Sequence, residues 1–326
     1  MSEGPARLES IANPINHMRV IQPMLLGIEI GGTKLQACLA DSHGTIHQVW
    51  RTTVDPQLQA DGIRAAMLSG LPELASRLPA GQKIRGIGVG FGGPVDARTG
   101  TTIISHQIHG WEQFPLAEWL HNLLGVDAIV GNDADVAGLG EATRGAGVGY
   151  DPVFYITVGS GIGGGLILNG NIYSGCGLGA AEIGHLMVDR QGTILEHVSS
   201  GWGIQKRFAA ALKAHQPNKH HAQVSVQEIA NAARSGDPLA KEVLAEATDA
   251  LAWGICQVAA LICPRRFVIG GGVSLMGDDL FFTPVREAVS QRVFKPFAGL
   301  FDIVPAALGE EVVLHGALAL AAQSAK

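Results

Sequence analysis

Two glycine-rich turns, each set between apolar runs, constrain this chain more than any other feature. In the first, Gly27-Ile28-Glu29-Ile30-Gly31-Gly32-Thr33-Lys34 leads straight into the apolar residues 35–40. In the second, Thr157-Val158-Gly159-Ser160-Gly161-Ile162-Gly163-Gly164-Gly165 leads into residues 166–168. Each reads as strand, glycine turn, strand, once in either half of the chain. A backbone without Cβ lets N–H groups approach an anion closely, so both turns can cradle phosphate. Glycine also serves plain hairpin turns, and either turn alone is an even choice between the two.

The rest of the chain supplies the context. Its 326 residues suit two domains, each able to build a core. With 47% apolar and 16% charged residues it reads as a well-packed globular protein, and a formal net charge of -6 offers no basic stripe for nucleic acid. Cys38, Cys176, Cys256 and Cys263 form no CxxC pair and read as small hydrophobes in a reducing compartment. No apolar run reaches the length of about 18 residues that spans a membrane, and no basic-then-apolar leader opens the chain, so a cytoplasmic location is expected.

Residues 1–23 lack periodicity and read as an extension lying on the fold. After the first hairpin, a turn at Asp41-Ser42-His43-Gly44 leads to a third strand over 45–54. A helix is predicted over 61–78, with Pro72 placed to kink or split it. A strand over 84–91 stops at Gly92-Gly93-Pro94, and a helix covers 115–124. A brief strand at 128–130 ends in Gly131-Asn132-Asp133 before a helix over 134–143. The second half repeats the hairpin from Val153. It continues with a glycine- and alanine-rich loop over 175–184, helices over 204–213, 226–235 and 238–260, and a polar loop over 216–221. A strand over 266–269 runs into Gly270-Gly271-Gly272, followed by a helix over 280–293, a strand over 302–306 and a terminal helix over 311–322. Strand triplets followed by helices and further strands, twice over, predict a duplicated α/β fold with a ligand cleft between its halves.

Four places can carry chemistry. Glu29 closes a strand whose buried face is Leu26, Ile28 and Ile30; its carboxylate can orient a magnesium ion or its waters, or be a charge on an edge strand's solvent face. Thr33 and Lys34 can donate to phosphate oxygens, though Lys34 equally suits a solvated surface. Asp133 stands where strand meets helix, the position at which open α/β proteins place ligands, and there it can accept a hydroxyl proton; Asn132 or Asp133 can also simply cap the helix. Glu182 and His185 can bind vicinal sugar hydroxyls. A closed zinc site at His185 lacks ligands, since no cysteine follows within reach and only His197 is near. Glu196 can reach the same pocket or start a helix.

Together these residues resemble the ROK family of bacterial sugar kinases and repressors, from Leu25 to the terminal helix. Its most specific stretch is residues 158–185, where Gly161-Ile162-Gly163-Gly164-Gly165-Leu166, Gly175, Ala181 and Gly184-His185 fall at the family's signature spacing. The resemblance implies the actin-like ATPase (ribonuclease H-like) fold, with a small domain from residues 1–130 plus 310–326 and a large one from 131–309. It makes Gly31, Gly32, Thr33 and Lys34 the first phosphate loop, Gly159, Ser160, Gly161 and Gly163 the second, and Gly271 and Gly272 part of the adenosine-side loop. Asp133 becomes the catalytic base. Gly92, Gly93, Gln107, Asn132, Glu182, His185 and Glu196 become sugar-side residues.

Departures accompany the match. Glu29 replaces the commoner aspartate, and Asp135 replaces an asparagine, an exchange bearing on structure more than on chemistry. Gln107 falls near the family's asparagine ahead of Gly110-Trp111. Residues 186–195 are short and lack the zinc-binding cysteines, so no structural zinc is expected. Repressor members carry a DNA-binding module of roughly 60 residues ahead of the first loop, more than residues 1–23 can hold. The resemblance therefore implies an ATP- and Mg2+-dependent kinase that phosphorylates the primary hydroxyl of a hexose or N-acylhexosamine. It would be a cytoplasmic homodimer with no nucleic-acid or membrane partner. The alternative is a sugar sensor on the same fold that transfers no phosphate.

Overall fold

Two five-stranded sheets of identical plan make up the frame, in a computed structural model that describes residues 23–105, 107–215 and 224–325. The extension expected before residue 23 and the polar loop over 216–221 lie outside the described residues. Strands β1 (Met24–Ile30), β2 (Lys34–Asp41), β3 (Ile46–Thr53), β4 (Ile84–Phe91) and β7 (Ala128–Asn132) form the first sheet, in the order β3-β2-β1-β4-β7. A small ribbon, β5 (Val95–Asp96) with β6 (Thr101–Thr102), follows β4. The second sheet holds β8 (Val153–Val158), β9 (Ile162–Leu168), β10 (Asn171–Ile172), β11 (Arg266–Gly270) and β12 (Asp302–Pro305), in the order β10-β9-β8-β11-β12. In both, the first three strands pair antiparallel and the next two add parallel to the first. The duplication expected from the two hairpins is therefore a repeat of topology.

Nine α-helices dress the sheets among the described residues: α1 (Gln59–Ser76), α2 (Leu116–Leu124), α3 (Asp133–Arg144), α4 (Glu196–Ser199), α5 (Gly201–His215), α6 (Val226–Arg234), α7 (Pro238–Leu261), α8 (Thr283–Arg292) and α9 (Val312–Ser324). Apolar residues of α1 and α2 (Met67, Leu71, Leu116, Leu120) close one face of the first sheet, and α9 closes the other through Leu314 and Leu318 against Leu25 and Cys38. Full burial of each such leucine contributes about 2 kcal/mol. In the second sheet α5 to α8 cover one face, while α3 lies on the other with Tyr155 and Ile167. Because Val136 and Leu139 of α3 share a cluster with Val313 and Ala317 of α9, these two helices join the lobes. No helix among the described residues is long and apolar enough to cross a membrane.

Several expectations need correction. Glu29 is not on an edge strand: β1 sits between β2 and β4, and both of its faces are buried, Leu25 and Gly27 included. Pro72 does not split its helix; α1 runs unbroken from Gln59, losing only the bond that residue 72 cannot donate. The helix expected over 280–293 starts as one wide π-type turn, Asp278–Phe282, which buries the adjacent rings of Phe281 and Phe282 edge to face. Finally, Ile183–His185 forms a turn of 3-10 helix where only loop was expected.

Candidate active site

Three parallel strands deliver one row of residues to the cleft. Register pairs Ile30 with Phe91 and Phe91 with Asn132, so the turns after β1, β4 and β7 emerge side by side at the carboxyl ends of their strands. That edge is where open α/β sheets bind ligands. Gly92 N–H donates to the Ile30 carbonyl at 2.8 Å, tying the second turn to the first glycine hairpin. A Cβ on Gly92 would lie 3.6 Å from Oδ2 of Asp133, so glycine here keeps the space in front of that carboxylate open. The Asn132 side-chain amide donates to the Gly93 carbonyl at 3.1 Å, which ties in the third turn.

The choice between helix cap and chemistry at Asn132-Asp133 resolves into both. Asn132 is the cap: its Oδ1 accepts from the N–H groups of Ala134 at 2.9 Å and Asp135 at 3.4 Å. Asp133 is thereby released to the first helical position, where its carboxylate accepts from the neighbouring Ala134 N–H at 2.8 Å. Burial, with Glu29 and Glu182 facing it, pushes its carboxyl up to about 6 against the backbone hydrogen bonds that favour its charge. A base near neutrality inside a cleft suits proton abstraction at ordinary pH. Glu182 precedes the 3-10 turn, His185 ends it, and both are exposed to solvent.

The first hairpin carries a polar network. Glu29 accepts from the side-chain amide of Gln36, and Lys34 Nζ lies 3.6 Å from its other oxygen. Gln36, fully buried in β2, accepts from Arg51 at 2.8 Å; Lys34 donates to the Glu310 carbonyl at 3.2 Å, at the entry to α9. Burial pushes the Glu29 carboxyl above the usual carboxylate range, and Gln36 and Lys34 pull it back. Gly31 and Gly32 remain in the turn, with the Gln107 side chain folded over Gly32, where its amide oxygen would be 1.7 Å from an added Cβ. Gln107, expected on the sugar side, thus lies against the first glycine hairpin.

In the second hairpin most of the glycines do something else. A Cβ on Gly163 would meet Ala134 Cβ at 2.8 Å, and on Gly165 the Ala134 carbonyl and Asp135 Cα at 2.9 Å. On Gly164 and Gly184 it would strike the Ala181 and Ile162 carbonyls at 2.2 Å. These glycines let β9 press on the start of α3 and on the turn bearing Glu182, and so help to position Asp133. Gly159 and Gly272 have open space, and Ser160 is exposed. Gly271 takes φ +87 beside the Val158 carbonyl, a conformation that only glycine holds without strain. Val273 N–H donates to that carbonyl at 2.9 Å, which brings the third glycine turn against the second.

Glu196 supports the second turn: its carboxylate accepts from Ile162 N–H at 2.7 Å and would contact a Cβ on Gly161. Two contributors escaped the sequence reading. Gly201 and Trp202 at the start of α5 donate to the carbonyls of Gly159 and Ser160 at 2.7 and 3.3 Å, holding the turn from behind. Gln36, the lone polar residue among apolar neighbours in β2, was the visible sign of a partner for Glu29. Residues 186–195 fold as a hairpin, Val188 N–H to the Thr193 carbonyl at 2.8 Å, whose turn Asp189 closes by accepting from Gln191 and Thr193.

Two lobes of one topology, with glycine turns at facing strand ends and a carboxylate at a strand–helix junction, define a phosphotransferase of the actin-like ATPase fold. The chain belongs to the ROK family, whose profile matches residues 25–324. Within it the likeness runs with the sugar kinases. The glucokinase of Halalkalibacterium halodurans is 30% identical over 309 residues, 89% of this chain and 92% of the relative. A kanosamine kinase of Amycolatopsis mediterranei is 30% identical over 310 residues, 92% of this chain and 96% of the relative. The crystal structure of a ROK family glucokinase from Streptomyces griseus in complex with glucose and AMPPNP matches with a TM-score of 0.76 at 29% identity, covering 92% of this chain and 99% of that one.

Proposed function

We propose that this sugar kinase transfers the γ-phosphate of ATP to the primary hydroxyl of a hexose or N-acylhexosamine, with Asp133 as the general base. The placement of Asp133 carries the reading: beside Gly31 and Gly92, capped by Asn132 rather than capping, and raised toward neutrality by burial and by Glu29 and Glu182. Asp133 accepts the hydroxyl proton as that oxygen attacks phosphorus in line. Asn132, Glu182 and His185 orient the sugar, with Gly92 and Gly93 shaping the rim of its site, while Glu196 holds the second turn and Gln107 covers Gly32. Gly31, Gly32, Thr33 and Lys34, then Gly159, Ser160, Gly161 and Gly163, and finally Gly271 and Gly272, hold the nucleotide. Closing the small domain (1–130 plus 310–326) on the large one (131–309) excludes water from the transfer. The split between α9 on the first sheet and α3 on the second supports that division.

One carboxylate, Glu29, would orient a magnesium ion or its waters. That donor set fits the ion's habit of keeping waters and substrate phosphates as its other ligands. Bound there, the ion would neutralise charge on the phosphates. Among the described residues no group of three histidines, cysteines or carboxylates is arranged to hold a metal by itself. A cytoplasmic homodimer belongs to the same reading, and light scattering after size exclusion measures its mass.

ADP release across glucose, N-acetylglucosamine, N-acetylmannosamine, mannose, fructose and allose with Mg-ATP tests the activity and identifies the sugar. Turnover with at least one of them is expected. Sugar-dependent thermal stabilisation with no ADP release from any would instead mark a sensor.

A further inference from the structure

The first turn of α3 carries a second carboxyl, which the proposed reaction does not use. Asp135 is only 5% exposed, and its Oδ1 is buried with no hydrogen-bond partner among the described residues. A carboxylate so placed gives up its hydration without compensation, whereas the protonated acid gives up much less. Among the described residues no positive charge acts on it. β9 presents the backbone of Gly165, against which Asp135 Cα is packed. On the other side lies a pocket of about 200 Å³ to which β7 brings Asn132, β10 Asn171, α9 Gln323 and the loop ahead of Glu182 Ser174, all neutral. The titratable groups facing it are Asp133 from its own helix and Glu182 from that loop, both acidic.

We propose that Asp135 is a positioning residue for the base, a carboxyl kept protonated so that Asp133 can be ionised beside it. The inference rests on Asp133 being the base. Asp133 and Asp135 share the first turn of α3, and two such neighbouring carboxyls do not lose their protons at one pH; they ionise in sequence. Burial first, then Glu182 and Asp133, push Asp135 up to about 8, whereas Asp133 stands at about 6. Between those values the site holds an ionised base next to a neutral acid. Above them a further negative charge appears in the wall, where it repels the incoming triphosphate and disturbs the packing of α3. Turnover is thereby confined to a window whose alkaline edge belongs to Asp135.

The test compares pH profiles of kcat/KM, each scaled to its own maximum, for the unmodified protein, Asp135→Asn and Asp133→Asn, with carboxyl titration by NMR of protein labelled with 13C-aspartate. The side-chain amide introduced by Asp135→Asn has the shape of the neutral acid and cannot ionise. The alkaline fall in activity is expected to vanish in Asp135→Asn while the acid limb stays. In the NMR spectrum the aspartate resonance that titrates near pH 8 is expected to disappear with it. An unchanged alkaline limb in Asp135→Asn, or no aspartate titrating near that pH in the unmodified protein, overturns the proposal. A merely structural role would lower the whole profile without altering its shape. Failure of the underlying assignment shows separately, as near-normal turnover in Asp133→Asn.

Discussion

The two glycine hairpins occupy equivalent places in equivalent sheets, yet they are built on opposite principles. The first is held by polar contacts: Gln36 between Glu29 and Arg51, and Lys34 on the Glu310 carbonyl. The second is held by closeness: Gly163, Gly164 and Gly165 have no side chains because α3 and the Glu182 turn need that volume. A glycine run can thus mean access for a ligand or access for another part of the chain. Among that hairpin's glycines, Gly159 has open space where a side chain would go, as does Gly272 in the third turn. Asp133, the proposed base, follows the first sheet's strand end and is pressed into place by the second sheet's hairpin.

Adding volume should break the second hairpin and spare its open turn. Gly165→Ala is expected to lose about 1–3 kcal/mol of stability by overpacking against α3, read by thermal or urea unfolding. Gly159→Ala should stay within about 0.5 kcal/mol of the unmodified protein while raising KM for ATP. Equal losses at the two positions would erase the distinction between packing and cradle glycines.

Removing polarity should break the first hairpin. Gln36→Leu keeps much of the volume but strips Glu29 of its amide donor, and a buried group left unpaired costs about 1–3 kcal/mol. A silent Gln36→Leu would show that the network around Glu29 is incidental. At the second hairpin, Glu196→Ala removes a charge-assisted bond to Ile162 N–H, for about 1–2 kcal/mol and a weaker hold on ATP. If it reduced sugar binding alone, Glu196 would belong to the sugar and not to the turn.

One further effect carries a sign that pH reveals. In the unfolded chain Asp135 ionises near its ordinary value of 3.8, but in the fold near 8, so the folded state keeps its proton longer and stability falls as pH rises between those values. Asp135→Asn is therefore expected to raise Tm, by an amount that grows from pH 4 to pH 8. A gain that is constant with pH would mean that this carboxyl is not the group concerned.

Much of this frame was legible in the sequence, because strands, turns and caps are local. The triplets of strands, the stop at Gly92-Gly93 and the junction at Asn132-Asp133 are written in consecutive residues. What escaped depends on partners distant in the chain. Nothing around Gly165 tells that Ala134 will lie against it, and nothing near Glu196 announces Ile162. Gln107 could be placed near a sugar by its neighbours Gly110-Trp111, but not on Gly32. Glu29 was open to reading as an edge-strand charge because its sheet neighbour β4 enters more than fifty residues later. Asp135 looked like a structural exchange for asparagine. Its missing partner is visible only once β9 and the Glu182 loop enclose it.

The central claim is that Asp133 takes the proton of the attacking hydroxyl, and Asp133→Asn tests it most directly. Turnover at saturating sugar and Mg-ATP should fall roughly 100-fold or more, the size of a general-base contribution, while stabilisation of the folded protein by sugar is largely kept. Near-normal turnover in that variant would contradict the account.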